Sequence, residues 1–324
     1  MEERAGPISV LFACDANYAP HAAACMASVL HNSPARFEFK VVASGDPLAF
    51  AERLQRSLAG QDRATLEVIR FQAPAGIHFP LPYHLTLETY FRFWIGDMFP
   101  SRSRAIYLDP DTIVTCDLAD LWNTDMGGNT LAAVPIPGST RPETHGMPPG
   151  SPFFNAGVLL FDLDAWRSRN YRDRCLQYLQ RYPERAIDGD QDIVNLCAIG
   201  DWLVLPYEWN VINPFYRRAH DLKLPPSMVR QVRRRARIIH FNGLNKPWTY
   251  LGEHPRKKDY LANLRRTDWR DWRPADRTPV NMVRKQLALV APQWLKRWLR
   301  HGLCALRQVW PGFLSQPSAG HHHR

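Results

Sequence analysis

Short apolar runs, too brief for helices, alternate with longer helical stretches through the first third of the chain. Ile8 to Ala13 reads as a buried strand, the polar turn Asp15-Ala16-Asn17-Tyr18 follows, and Ala22 to Leu30 is a helix of small and apolar residues. Phe37 to Ala43 and Thr65 to Phe71 have the composition of further strands, with a helical Pro47 to Leu58 between them. Strands of this kind, each followed by a helix, are stable when they pair in parallel and are covered by helices on both faces. We therefore expect an α/β chain with a mostly parallel, doubly wound sheet. Ligands of such sheets sit beyond the carboxyl ends of strands.

Leu85 to Phe99 reads as a helix carrying Tyr90, Arg92 and Trp94, and Arg104 to Leu108 as a strand that delivers Asp109 to its carboxyl end. In Ile106-Tyr107-Leu108-Asp109-Pro110-Asp111-Thr112 two carboxylates lie two residues apart directly after the apolar run. That spacing lets both turn oxygens toward one hard cation, Mg²⁺ or Mn²⁺, that would bridge them to a diphosphate. It equally fits an Asp-Pro turn bearing a solvated acidic pair, and the pair alone leaves both readings open.

Further along come a strand around Thr130 to Val134, a Pro- and Gly-rich loop from Gly138 to Pro152 suited to a lid, a strand around Gly157 to Phe161 and a helix from Asp164 to Tyr182. The cluster Asp188-Gly189-Asp190-Gln191-Asp192 precedes a short helix, then Trp202 to Leu205 and an aromatic loop to Tyr216. A last strand, Ile238 to Phe241, runs into His240-Phe241-Asn242-Gly243-Leu244-Asn245-Lys246-Pro247-Trp248. An imidazole suits Mn²⁺ better than Mg²⁺, and a lysine can neutralise a leaving phosphate. A histidine ending a strand before a glycine turn would explain His240 and Gly243, but not Lys246-Pro247-Trp248 beside them.

In order along the chain, these segments resemble the family 8 glycosyltransferases, retaining enzymes that include bacterial lipooligosaccharide and lipopolysaccharide galactosyl- and glucosyltransferases. Phe12-Ala13-Cys14-Asp15-Ala16-Asn17-Tyr18 is similar to the family's uridine-binding start, and Tyr90-Phe91-Arg92 to its donor-contacting helix. Tyr107-Leu108-Asp109-Pro110-Asp111 matches the metal motif; Phe154-Asn155-Ala156-Gly157-Val158-Leu159-Leu160, Asp190-Gln191-Asp192 and the segment from His240 to Trp248 complete the set. The likeness covers roughly residues 8 to 250.

The resemblance implies a single GT-A-type nucleotide-diphospho-sugar transferase domain that moves glucose or galactose from a UDP-hexose to a saccharide or glycolipid acceptor, with Mn²⁺ or Mg²⁺ as cofactor. By the same likeness Asp15 and Asn17 would hold uracil and ribose, Asp109, Asp111 and His240 the metal, and Gly243 and Lys246 the diphosphate. Arg92, Asn155, Asp190 and Gln191 would line the transferred sugar, with Gln191 near the anomeric carbon and Asp190 or Gln191 as the catalytic group. Two departures stand out. Ala132-Ala133-Val134-Pro135-Ile136-Pro137 carries no carboxylate where relatives often have one, and Asp15-Ala16-Asn17 lacks the second acid seen in some of them.

The net charge of +10 is concentrated at one end: residues 270–324 hold ten Arg or Lys against two Asp, which leaves +2 for the rest. A boundary is expected near there, with a catalytic domain over 1–269 and a basic, Trp- and Leu-rich helical tail over 270–324. Leu287, Val290, Trp294, Leu295, Trp298, Leu299, Leu303, Leu306 and Trp310 recur at helical spacing among Lys296, Arg297, Arg300 and Arg307. That pattern suits a helix lying in an anionic inner-membrane surface, or a terminal helix docked on the catalytic domain. The six cysteines have no C-x-x-C or metal-ligand spacing and read as reduced core thiols; with no secretory pattern and no apolar run of spanning length, a cytoplasmic chain, peripheral on the membrane's inner face, is expected. His321-His322-His323-Arg324 is left out of the metal argument.

Two other classes compete. A nucleic-acid-binding protein would account for the basic balance and for Arg230, Arg233, Arg234, Arg235 and Arg237, but no recognisable module is present, and a solvated face accounts for the cluster as well. A UDP-sugar-binding protein without catalysis would not need all three metal ligands.

Overall fold

The computed structural model describes residues 6–81 and 85–290. The tail beyond residue 290, with Cys304 and the histidine-rich end, lies outside them.

The described strands are β1 (Ile8–Ala13), β2 (Phe37–Ala43), β3 (Ala64–Arg70), β4 (Arg104–Leu108), β5 (Thr112–Val114), β6 (Leu131–Pro135), β7 (Phe154–Asp162), β8 (Trp202–Val204), β9 (Val211–Ile212) and β10 (Ile238–His240). The main sheet runs in the order β3-β2-β1-β4-β7-β6-β8, and β5-β10-β9 form a smaller one. β1 pairs in parallel with β2 and β4, β2 with β3 and β6 with β8. β7 alone runs antiparallel to both of its neighbours, β4 and β6.

Both faces of the main sheet are buried. Ile8, Val10 and Phe12 of β1 and Ile106 and Leu108 of β4 pack into the core that holds the helix Ala19–Asn32. Leu11, Ala13, Ala105 and Tyr107 point to the opposite core, formed with the helices Tyr171–Arg181 and Asp190–Cys197. Each large apolar side chain among them contributes about 1.5–3 kcal/mol by leaving water, so a one-residue slip of register, which exchanges the faces, is strongly disfavoured.

The structure refines the expected elements in three places. Leu87–Trp94 is a 3-10 helix that passes into a single α-turn at Ile95–Met98, not one α-helix from Leu85 to Phe99. Tyr90, Phe91, Arg92, Phe93 and Trp94 are all buried, so packing on every side overrides the α period. The helix expected from Asp164 to Tyr182 breaks at Asn170, whose φ of +54° is a left-handed conformation that asparagine tolerates. It leaves Leu163–Ser168 and Tyr171–Arg181. β7 begins at Phe154, three residues before the expected start.

Within the loop from Gly138 to Pro152, Arg141–Thr144 forms a helical turn. Arg141 reaches Asp188 at 2.6 Å, and His145 Nε2 lies 3.1 Å from Asp192 Oδ1 with both side chains out of water. The basic run is the amphipathic helix Pro226–Arg234, which buries Val229 and Val232 and leaves Arg230 and Arg234 exposed.

The chain divides into two compact units: a large one that runs to Trp248 and takes in Gly252–Trp272, and a small one made of Thr249–Leu251 and the chain from Arg273 on. In the small unit, the helix Pro279–Val290 leaves Val280, Val283 and Leu287 exposed, and Lys285 donates to the Tyr250 carbonyl at 2.9 Å. No helix among the described residues is long and apolar enough to cross a membrane.

Candidate active site

β4 ends where Asp109 N donates to the Gly157 carbonyl at 2.8 Å, and Thr112 N then donates back to the Asp109 carbonyl at 3.2 Å. This closes a four-residue turn with Pro110 at its second position, where the fixed φ of proline suits the bend. The Asp-Pro turn and the candidate cation site are therefore one feature, since the turn brings Asp111 beside Asp109. The chain leaves the turn as β5, which pairs antiparallel with β10 and sets His240 opposite Thr112. His240 Nε2 lies 3.1 Å from Asp111 Oδ1 and 3.5 Å from Asp109 Oδ2. One ligand atom from each of the three residues falls within 4.8 Å of the others.

The surroundings fit a divalent cation. A Cβ on Gly157 would stand 2.2 Å from His240 Cε1 and 2.6 Å from Asp109 Oδ2, so only glycine leaves the three donors their room. Two carboxylates and an imidazole are a donor set for a borderline-hard metal, and three protein ligands leave coordination positions for substrate oxygens. Burial alone would raise the Asp111 carboxyl, but Lys246 and His240 hold it well below the usual carboxylate range. Lys246 Nζ donates to Asp111 Oδ2 and, at 3.0 Å, to the Phe241 carbonyl. Burial works against this ammonium and Asp111 outweighs it, so its pKa is raised and it stays charged.

Beside the cation site stands a buried ion pair. Arg92 Nε lies 2.7 Å from Asp190 Oδ2, and Arg92 Nη2 reaches Asp109 Oδ1 at 3.2 Å. The same guanidinium covers the Tyr107 ring at 4.1 Å, and Tyr107 donates its hydroxyl to Asp109 Oδ1 at 3.0 Å. Arg92 is thus a buried bridge between the two carboxylates, not a cation on a helix surface. Burial raises the Asp190 carboxyl to about 6, with Arg92 and the Thr89 hydroxyl pulling against it.

The amides form a third group. Asn155 Nδ2 donates to Gln191 Oε1 at 2.9 Å, Ala156 N donates to the same oxygen at 3.1 Å, and Asn210 Nδ2 donates to Asn155 Oδ1 at 2.8 Å. The antiparallel run of β7 makes this meeting, since it brings the strand's beginning, Asn155, to the carboxyl end of β4. At the far side Asp15 Oδ1 accepts from Tyr18 N at 2.9 Å, and Asn17 Nδ2 donates to Asp15 Oδ2 at 2.9 Å.

These groups line one cleft of about 490 Å³. Asp15, Arg92, Asp109, Asp111, Asn155, Asp190, Gln191, His240, Gly243 and Lys246 all contribute to its wall, whereas Asn17 is exposed and stands outside the lining. Ile136 lines the cleft in the segment that lacks a carboxylate. Sequence reasoning missed Glu88, a buried carboxylate of the wall that accepts from Ser44 N at 3.2 Å, and Asn210 behind His240. Asn210 has a faint signal, a lone amide between Trp209 and the apolar Val211-Ile212; Glu88 has none, because burial of a helical acid is decided by packing.

Among proteins of known sequence, the chain is 26% identical over 272 residues to general stress protein A of Bacillus subtilis, covering 80% of this chain and 94% of that protein. It is 24% identical over 290 residues to the lipopolysaccharide 1,2-glucosyltransferase of Escherichia coli, covering 86% and 84%. The crystal structure of galactosyltransferase LgtC in complex with donor and acceptor sugar analogs superposes with a TM-score of 0.70 at 24% identity, over 82% of this chain and 99% of that one, and so shares its fold. The family model for glycosyl transferase family 8 matches residues 9–252, the stretch that holds every residue of the cleft. The chain belongs to glycosyl transferase family 8.

Proposed function

We propose that this chain transfers glucose or galactose from a UDP-sugar to a hydroxyl of a saccharide acceptor of lipopolysaccharide or lipooligosaccharide, with retention at the anomeric carbon. Asp109, Asp111 and His240 would hold Mn²⁺, or Mg²⁺ in its place. One observation carries this reading: the three donors, the Lys246 ammonium and the Arg92–Asp190 pair face a single cleft, so charge for a diphosphate and acceptors for sugar hydroxyls stand side by side. The lipopolysaccharide transferase among the relatives supports the acceptor class.

Held by Asp109, Asp111 and His240, a divalent cation would supply Lewis-acid neutralisation of the leaving group. Lys246 adds a positive charge where negative charge develops, exchanging Asp111 for a phosphate oxygen. Asp15, with Asn17 at the cleft's outer edge, would hold the nucleoside, Gly243 the phosphates, and Asp190, oriented by Arg92, would accept from hydroxyls of the hexose. In the transfer the bond between the anomeric carbon and the β-phosphate oxygen breaks, its electron pair passing to the phosphate. The acceptor oxygen bonds that carbon on the same face, and its proton passes to the departing phosphate oxygen. A covalent enzyme intermediate is disfavoured, because Gln191 Oε1 already accepts two hydrogen bonds and Asp190 is held in its ion pair.

Release of UDP, measured across a panel of UDP-hexoses with Mn²⁺ and without acceptor, tests the reading: slow hydrolysis of one preferred donor is expected, abolished by a chelator and restored by Mn²⁺. No release from any UDP-hexose overturns it. For the small unit we propose peripheral attachment to an anionic inner-membrane surface, which the exposed Val280, Val283 and Leu287 support.

A further inference from the structure

Two backbone amides set the direction of a hydrogen-bond chain that crosses the cleft wall. A backbone N–H can only donate. Gly157 N lies 3.1 Å from Asn155 Oδ1, and Ala156 N lies 3.1 Å from Gln191 Oε1, so both of these atoms are carbonyl oxygens. Asn155 Nδ2 then donates to Gln191 Oε1 at 2.9 Å. Asn155 Oδ1 accepts a second bond, from Asn210 Nδ2 at 2.8 Å. With its nitrogen committed there, Asn210 turns its oxygen the other way, to His240 Nδ1 at 3.0 Å.

An amide oxygen demands a proton on Nδ1. Neutral imidazole has one N–H, and the partner of one ring nitrogen decides what the other can do. With a cation between them and the ring neutral, Nε2 therefore keeps its lone pair for the metal, and Nε2 is the atom 3.1 Å from Asp111 Oδ1 and 3.5 Å from Asp109 Oδ2. Asn210 is 1% exposed, so water has no ready access to replace it.

We propose that Asn210 is a positioning residue of the cation site. It fixes His240 as the Nδ1–H tautomer with Nε2 presented to the metal, and through Asn155 it ties that ligand to Gln191 on the sugar side. The proposal rests on the cation assignment made above. Its chemical content is a single polarity, running from the β7 backbone to the metal-facing nitrogen. Gln191, whose oxygen is taken at the other end, presents its amide N–H groups to the cleft.

The test reads the tautomer directly in the full chain saturated with Mg²⁺, because without a cation Nε2 faces two carboxylates and takes up a second proton. Ring nitrogens of ¹⁵N-histidine protein are correlated with ring protons at pH 8, and His240 is identified by its loss in the His240→Gln variant. The expected result is Nδ1–H in the wild type and a mixture of tautomers in Asn210→Leu, with Mn²⁺ affinity, followed by the electron paramagnetic resonance of free Mn²⁺, about 10–100-fold weaker. Asn210→Asp keeps an acceptor for Nδ1–H but loses the donor to Asn155. Its Mn²⁺ affinity should stay within about threefold while the turnover number for UDP release falls about tenfold. An Nε2–H tautomer in the wild type overturns the proposal, as does an Asn210→Leu variant with unchanged tautomer and Mn²⁺ affinity. If Asn210→Leu does not fold, the wild-type tautomer and Asn210→Asp decide the matter. A chain that binds neither Mn²⁺ nor Mg²⁺ would sink the functional reading, whereas the Nδ1–H to Asn210, and its loss in Asn210→Leu, is still read.

Discussion

His240 Nε2 stands 3.1 Å from Asp111 Oδ1, one residue arriving on β10 and the other in the turn after β4, while Lys246 takes the second oxygen of the same carboxylate. Asp111 thus sits between the imidazole and an ammonium. A lysine charge this close interacts with a carboxylate by about 4 kcal/mol at about 4 Å and an effective dielectric near about 20, which helps keep Asp111 ionised against its burial.

Asp111→Asn removes that charge while keeping shape. Mn²⁺ affinity should fall at least about 100-fold and UDP release by about 10²–10³. Metal titration of donor hydrolysis checks it, and unchanged turnover would sink the metal assignment.

Gly157→Ala tests the crowding at the site. The added methyl would meet His240 Cε1 at 2.2 Å, and the neighbours belong to a strand and a turn that cannot retreat. Stability should fall by about 1–3 kcal/mol, with the loss of Mn²⁺ binding exceeding what the unfolded fraction explains. Thermal melts and metal titrations on one preparation separate the two effects.

Asp190 should give the activity an acidic limb. Burial raises its carboxyl to about 6, and it accepts sugar hydroxyls best when ionised, with both oxygens free as acceptors, so kcat/KM should rise as pH passes upward through about 6. Stability has the opposite sign. A carboxyl whose folded pKa lies above its unfolded value stabilises the fold relative to high pH, fully below about 4 and lost as pH rises through about 6. In Asp190→Asn the limb should vanish and activity drop about 10–100-fold; a limb of unchanged position in the variant would assign it to another group.

Replacing Val280, Val283 and Leu287 together by serine should leave UDP release unchanged and weaken co-sedimentation with anionic vesicles. Each lost apolar contact is worth about 1–2 kcal/mol in the interface. Equal sedimentation of wild type and variant would show that this helix face is not what meets the lipid.

What could be read from the residues was local. Ile106 to Leu108 followed by Asp109-Pro110-Asp111 announced a strand end with a carboxylate pair, and His240 to Trp248, with Lys246, announced its counterpart only as a second strand end. Arg92 was legible as a residue but not in its setting. Its burial between Asp109 and Asp190 follows from a 3-10 path that no propensity favours.

The alternation of strands and helices, the proline turn after Leu108 and the glycine at 157 could be read from the residues, because each depends on neighbours along the chain or on a residue's own shape. That β7 runs antiparallel, so that Asn155 reaches the carboxyl end of β4, and that β10 pairs with β5, so that His240 meets Asp111, came only with the fold. Strand order and direction arise from which faces can bury one another, and a hydrogen-bond polarity like that from Gly157 to His240 exists only once distant amides are within 3 Å of each other.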